Sequence, residues 1–182
     1  MLKTNEILDE KDKRLHEKSV EVKFPLDDED KKTIDKMIEY LTNSQIEDLA
    51  DKYDLRPGMG MAAVQLGILK RYFVVVHEYE PGEFKNYILI NPKIVSNSVE
   101  RIYVDEGEGC LSVNRPTEGI VPRFARVTME AYDMDGNKIT VRGREELAIA
   151  FQHELDHLNG IMFTDKIDKN NPFKDKDEMR AI

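Results

Sequence analysis

Apolar residues in the first third of the chain recur at helical intervals. Ile34, Met37, Ile38, Leu41, Ile46 and Leu49 predict one amphipathic helix over about residues 30–53. Asp27 or Asp28 stands where its cap is expected, and "LRPG" (residues 55–58) breaks the run. After the short glycine-flanked segment "MGMAAVQLG" the pattern becomes strand-like. It does so in "RYFVVV" (71–76), in "YILI" (87–90) and around "RIYVDEG" (101–107). "RVTMEAYD" and "KITVRG" flank "MDGN", whose Asp135-Gly136 step predicts a hairpin turn. Helical spacing returns at Leu147, Phe151, Leu155 and Leu158, giving a helix over about 145–158 that Asn159-Gly160 stops. Strands and helices do not alternate regularly. The pattern predicts an α+β fold, with largely antiparallel sheets packed around the late helix.

A length of 182 residues suits one domain with a real core, expected to span residues 1–182. Hydrophobic residues make up 40% and charged residues 35%, the balance of a soluble globular protein. A net charge of -9 argues against a general nucleic-acid binder, because phosphate binding needs clustered Lys and Arg. No apolar run approaches the roughly 20 residues needed to span a bilayer, so no membrane association is expected. The opening "MLKTNEILDEKDKRLHEK" has no apolar core of a signal peptide, and its acids disfavour an organellar transit peptide. Cys110 is the single cysteine, which excludes an intramolecular disulfide and fits a reducing compartment. The expected location is the cytoplasm. The tail over about 168–182 alternates in sign and is expected to be exposed.

The late helix carries the chemistry, in "FQHELDHLNG" (151–160). Its apolar residues fall on two sides. Leu147, Phe151, Leu155 and Leu158 form one; Ile149 and Ala150 gather with His153 and His157 on another, which suggests a buried helix with both histidines facing a cleft. One helical turn apart, the two imidazoles can reach one ion. Glu154 follows the first histidine, where a carboxylate can move the proton of an ion-activated water. Two histidines at this spacing also occur by chance in ordinary helices.

A third ligand is needed. The pattern follows one metalloprotease group as far as Gly160, but Phe163 stands where that group has its third histidine. His16 lies in a charged stretch and His77 at a strand end. Asp165 and Asp168 lie in polar sequence that reads as surface. Cys110 in "EGEGCLSV" remains, and a thiolate is a good ligand for zinc or ferrous iron. A lone free cysteine is more often a small buried hydrophobe. The residues alone leave the third ligand open.

Three segments together resemble peptide deformylases: "GMGMAAVQ" (58–65), "EGCLS" (108–112) and "QHELDH" (152–157). Their order and spacing are specific. The helix ending in "KYDLRPG" and the long stretch between Gln65 and Cys110 resemble the class typical of Gram-positive bacteria and their relatives. The resemblance covers nearly the whole chain and is weakest after about Asp168. It implies a hydrolase that removes the N-formyl group from the initiator methionine of newly made proteins, releasing formate.

Carried over by matching positions, the resemblance implies that Cys110, His153 and His157 hold one divalent ion and leave a fourth position for water. It implies Fe2+ as the native ion, with Zn2+, Ni2+ or Co2+ able to replace it. Glu154 is the implied proton carrier. Gln65 and the backbone N–H of Leu111 are the implied donors to the developing oxyanion. The substrate, an N-formylmethionyl nascent peptide, is implied to add as a strand beside the glycine-rich segment, with Gly60 contacting its backbone. Met59, Ile149, Ala150 and the stem of Glu108 are expected to line the methionine pocket, although plain core packing suits Ile149 equally.

Val64 stands where many relatives have proline, and "SVNRPTEG" differs from the corresponding loops of other classes. No substrate role is assigned to Arg115 or Arg123 from the sequence. Arg123 is equally suited to pairing with a buried carboxylate such as Asp156. Work on nascent chains also raises a transient ribosome contact through the charged tail. A general metallopeptidase and a non-catalytic metal-stabilised domain are the competing readings. The first is disfavoured by Phe163 and the match around Cys110, and the second has no use for Glu154.

Overall fold

The computed structural model describes residues 1–182. Its first helix, α1, spans Asp28–Ser44, and α2 spans Glu47–Tyr53. The Asp27 carboxylate caps α1, accepting from the Asp30 N–H at 2.7 Å. The single helix expected over 30–53 is therefore two. Between them Ile46 turns to extended geometry (φ -105°, ψ 110°), although neither it nor Gln45 is a glycine or proline. Ties to the sheet region explain the break. Gln45 Nε2 donates to the Leu41 carbonyl and also to the Val76 carbonyl, while Ser44 Oγ accepts from the Gly58 N–H.

Five strands build the main sheet: β1 (Gly60–Ala62), β2 (Tyr72–Glu80), β3 (Glu83–Asn97), and, after two shorter strands, β6 (Arg126–Tyr132) and β7 (Lys138–Arg144). Their order is β1-β2-β3-β6-β7, with every pairing antiparallel. The shorter β4 (Arg101–Tyr103) and β5 (Arg123–Phe124) form a second sheet with β8 (Arg180–Ala181). "YILI" proves to be the middle of a much longer strand. In "RIYVDEG" only residues 101–103 pair, and the rest enters a loop that turns at Gly107, whose φ is +86°. The Asp135-Gly136 turn joins β6 to β7 as expected, with Gly136 at φ +81°.

Strand β2 explains the layering. Its apolar run is buried on both faces, which removes the usual polar alternation. Phe73 and Val75 pack with Leu147, Ala148, Phe151 and Leu158 of the late helix, α3 (Glu145–Leu158). Tyr72, Val74 and Val76 pack on the other face with Ile34, Met37, Tyr40 and Leu41 of α1. The sheet therefore lies between α1 and α3. Fully burying a side chain such as Phe151 contributes roughly 1.5–3 kcal/mol, so this sandwich fixes the position of α3.

Helix α3 has the expected bounds and ends where Gly160 takes φ +71°. A Cβ at Gly160 would also stand 2.7 Å from the His16 carbonyl carbon, so packing and backbone both require glycine. A short helix, α4 (Phe163–Lys166), follows. The tail is exposed, as expected, yet its end is tied down. β8 pairs parallel with β4, and Arg180 reaches Glu100 and, through two bonds, Glu145 at the start of α3. No helix is long and apolar enough to cross a membrane.

Candidate active site

A cleft of about 310 Å³ opens between the glycine-rich β1 segment, the loop through Cys110 and one face of α3. Met59, Gly60, Gln65, Glu108, Cys110, Leu111, Ile149, Ala150, His153 and Glu154 all line it. His157 stands one helical turn beyond His153. The structure brings together every site residue expected from the sequence. His16 and His77 lie outside. His16 is exposed against the Glu10 carbonyl, and His77 lies 3.9 Å from Glu146.

Ligand atoms of Cys110, His153 and His157 all fall within 4.8 Å of one another. Cys110 Sγ is 3.4 Å from His157 Nε2, and the two imidazole rings are 5.0 Å apart between centroids. One thiol and two imidazoles make a donor set suited to zinc or ferrous iron. A second observation supports that fit: Glu154 Oε2, beside the proposed ligands, is buried without a hydrogen-bond partner. Groups of this kind are costly to bury unless something engages them. Phe163, standing where a metalloprotease histidine would fall, stacks on the His153 ring at 5.9 Å and leaves Cys110 to complete the triad.

Behind the histidines lies a charge network built on Arg123. Glu108 Oε1 stands 3.4 Å from His153 Nδ1, which orients that ring and leaves its other nitrogen for an ion. Both Glu108 oxygens accept from Arg123 at 3.0–3.2 Å, and Arg123 Nη1 donates to Asp156 Oδ2 at 2.6 Å. Arg123 and Glu108 are almost wholly buried. The expected Arg123–Asp156 pair is present, with Glu108 as a second partner. Glu108 was expected to offer its stem to a pocket. It does line the cleft, but its carboxylate is engaged by Arg123 and His153. Gln152 pins this arrangement, bonding the Phe124 N–H and carbonyl at 2.9 Å beside Arg123.

The protein groups set distinct electrostatics. Burial pushes the Glu154 carboxyl up to about 7, although charge on His153 opposes this. Burial also disfavours a charged His153, but bonds from Cys110 and Glu108 overcome it and hold that imidazole well above its usual range. Burial, with His153 and Arg123 nearby, pushes His157 well below. For Glu108, burial works upward, but His153 and Arg123 prevail and keep it ionised.

Oriented donors stand on the far side of the cleft. Gln65 Oε1 accepts from the Ala62 N–H at 2.9 Å, which turns Nε2 toward Ser112 Oγ at 3.0 Å and Cys110 Sγ at 3.7 Å. The Leu111 N–H has no acceptor within the chain. β1 pairs only with β2, so its other edge is free. The Val76 N–H donates to the Met59 carbonyl, and antiparallel alternation then turns the Gly60 N–H and carbonyl outward. Arg56 and Ser112 are site neighbours that sequence reasoning missed. Arg56 lies amid a helix break, and nothing local to it signals contact with residues more than fifty positions away.

The polypeptide deformylase family pattern matches residues 4–173. Peptide deformylase 2 of Bacillus cereus is 44% identical over 182 residues, covering 100% of this chain and 99% of that protein. Peptide deformylase of Listeria monocytogenes serovar 1/2a is 48% identical over 172 residues, covering 94% of each chain. The crystal structure of peptide deformylase from Thermotoga maritima matches with a TM-score of 0.70 at 31% identity, covering 89% of this chain and 96% of that one. With the cleft, the fold and the full length of the sequence in agreement, this chain belongs to the polypeptide deformylase family.

Proposed function

We propose that this chain, acting as a single domain, removes the formyl group from N-formylmethionyl peptides and releases formate. The observation that carries the reading is the convergence of Cys110, His153 and His157 beside the unpartnered Glu154 carboxylate, in a cleft bordered by a free strand edge. Cys110, His153 and His157 are the proposed ligands of one divalent ion, Fe2+ in the cell. Zn2+, Ni2+ or Co2+ suits the same donors. Such an ion supplies Lewis acidity, polarising the formyl carbonyl and making a water proton available near neutral pH.

The remaining steps belong to the chain's own groups. Glu154 accepts the water proton through its free oxygen and delivers it to the amide nitrogen, which must leave as a protonated amine. No group of the chain competes for that buried oxygen in either half of the task. Gln65 Nε2 and the Leu111 N–H donate to the carbonyl oxygen as negative charge develops there. One preorganised donor of this kind is worth roughly 2.7–4 kcal/mol.

The free edge of β1 suits a peptide added as a strand, with Gly60 offering backbone groups and Met59, Ile149 and Ala150 surrounding the methionine side chain. Main-chain recognition fits a substrate whose sequence varies after methionine. We place the reaction in the cytoplasm, where nascent chains are made. A formate assay with formyl-Met-Ala tests the reading. Formate release from that peptide is expected, with no cleavage of unformylated peptides. Hydrolysis of internal peptide bonds would instead identify a general metallopeptidase.

A further inference from the structure

Arg56 lies in the segment joining α2 to β1 and lines the cleft without reaching its reacting groups. Its own backbone is anchored, the N–H donating to Thr4 Oγ1 at 3.4 Å and the carbonyl accepting from Tyr40 OH at 3.2 Å. Pro57 further restricts it to extended geometry. The guanidinium is spent on acceptors of one loop. Nη1 donates to the Leu111 carbonyl at 3.2 Å and to Asn114 Oδ1, while Nη2 donates to the carbonyls of Cys110 at 3.2 Å and Val113 at 3.1 Å. The remaining carbonyl of that run, on Ser112, accepts from the Glu10 N–H at 2.7 Å. The loop is thus held from two sides.

The choice of carbonyls has a consequence. A peptide unit is planar, so fixing its C=O also fixes the N–H that points the opposite way. The Cys110 carbonyl shares its plane with the Leu111 N–H, the unpartnered donor at the cleft. The Leu111 carbonyl shares its plane with the Ser112 N–H, which donates to Cys110 Sγ at 3.4 Å. One cationic fork therefore grips the back of two successive peptide units whose front N–H groups face the cleft and the sulfur. Hydrogen bonding at a carbonyl also polarises the unit and strengthens its N–H as a donor.

We propose that Arg56 is a positioning residue for deformylation, orienting and polarising the Cys110–Leu111 and Leu111–Ser112 peptide units. It acts through the Leu111 N–H at the reacting oxygen and through the Ser112 N–H at the Cys110 sulfur. This rests on the roles proposed above for Cys110 and Leu111. Lysine cannot replace Arg56, because one ammonium lacks the planar fork that spans these acceptors.

The test compares wild type with Arg56→Lys and Arg56→Ala. For the nickel-loaded proteins, kcat on formyl-Met-Ala is expected to fall about 10- to 100-fold, with KM changing less than threefold. In the zinc-loaded proteins, the amide 15N resonances of Leu111 and Ser112 are expected to shift while those of α3 stay in place. Added guanidinium at low millimolar concentration is expected to restore part of kcat in Arg56→Ala. A folded Arg56→Lys with kcat within twofold of wild type and unmoved Leu111 and Ser112 amides would overturn the proposal. So would a loss confined to KM, or resonance changes spread through α3 with no rescue, which mark a general structural role. Absence of formate release by wild type sinks the functional reading instead, while the amide resonances still judge Arg56.

Discussion

The Glu154 carboxylate lies against the backbone of Gly60, where a Cβ would stand 2.5 Å from Oε1 and 2.9 Å from Cδ. The strand edge and the proposed proton carrier therefore occupy adjoining space that only glycine leaves open. Gly60→Ala should push Glu154 aside. A displacement of about 1 Å at such a group can cost on the order of 10²-fold, so kcat on formyl-Met-Ala is expected to fall by that order. Thermal stability should fall as well, because the added methyl meets the buried Glu154 side chain. Wild-type kcat in Gly60→Ala would show that Glu154 works equally well from another position.

Removing the Glu154 carboxylate separates proton transfer from metal binding. The proposed ligands are Cys110, His153 and His157, and Glu154 Oε2 engages nothing in the chain. Glu154→Ala is expected to keep its metal content while turnover falls about 10²- to 10⁴-fold, the range of a lost general acid–base group. Metal analysis and formate release measured on the same preparation decide this. Full metal with surviving turnover would mean that the proton takes another route.

How much of this was readable from the residues depended on how local each cause is. The bounds of α3 follow from a 3.6-residue apolar period and a glycine stop, both present within fifteen residues. The break between α1 and α2 has no such signal. Ile46 and Leu49 continue the apolar spacing, and what ends α1 is Gln45 bonding to Val76 on a distant strand. Cys110 shows the same limit. As a lone cysteine it carries no metal signature, and only the fold brings its sulfur to 3.4 Å from His157. The carboxylate of Glu108 is similar, since the partners that define its task lie 15 and 45 positions away.

Arg123 should matter to stability more than its distance from the substrate suggests. Its guanidinium is buried between Glu108 and Asp156. Replacing it with methionine would preserve bulk but leave Glu108 without the partner that, after His153, holds its carboxyl low. Breaking a buried pair by removing one member typically costs 3–5 kcal/mol, so Arg123→Met is expected to lose about that much in urea unfolding. Because Glu108 orients His153, metal affinity should also weaken, by roughly 10- to 100-fold. Unchanged stability and affinity would mean that lysine or water takes over the charge; Lys166, already 3.3 Å from Asp156, is the nearest candidate.

Replacing Cys110 with serine tests the soft member of the donor set. Serine retains a small polar side chain in the same loop but offers a hard, protonated oxygen where two imidazoles and a thiolate suit ferrous iron or zinc. Iron-dependent activity is expected to fall sharply, or metal preference to change, while the apolar packing of α3 through Phe151 is untouched. The thiolate has a second consequence. Ferrous iron held beside a thiolate is open to oxidation, so protein purified in air should lose activity that anaerobic preparation or nickel substitution preserves. Equal activity after both preparations would identify a redox-inert native ion. Unchanged metal content and rate in Cys110→Ser would remove Cys110 from the ligands and leave His153 and His157 needing a different third partner, which the cleft does not otherwise offer within 4.8 Å.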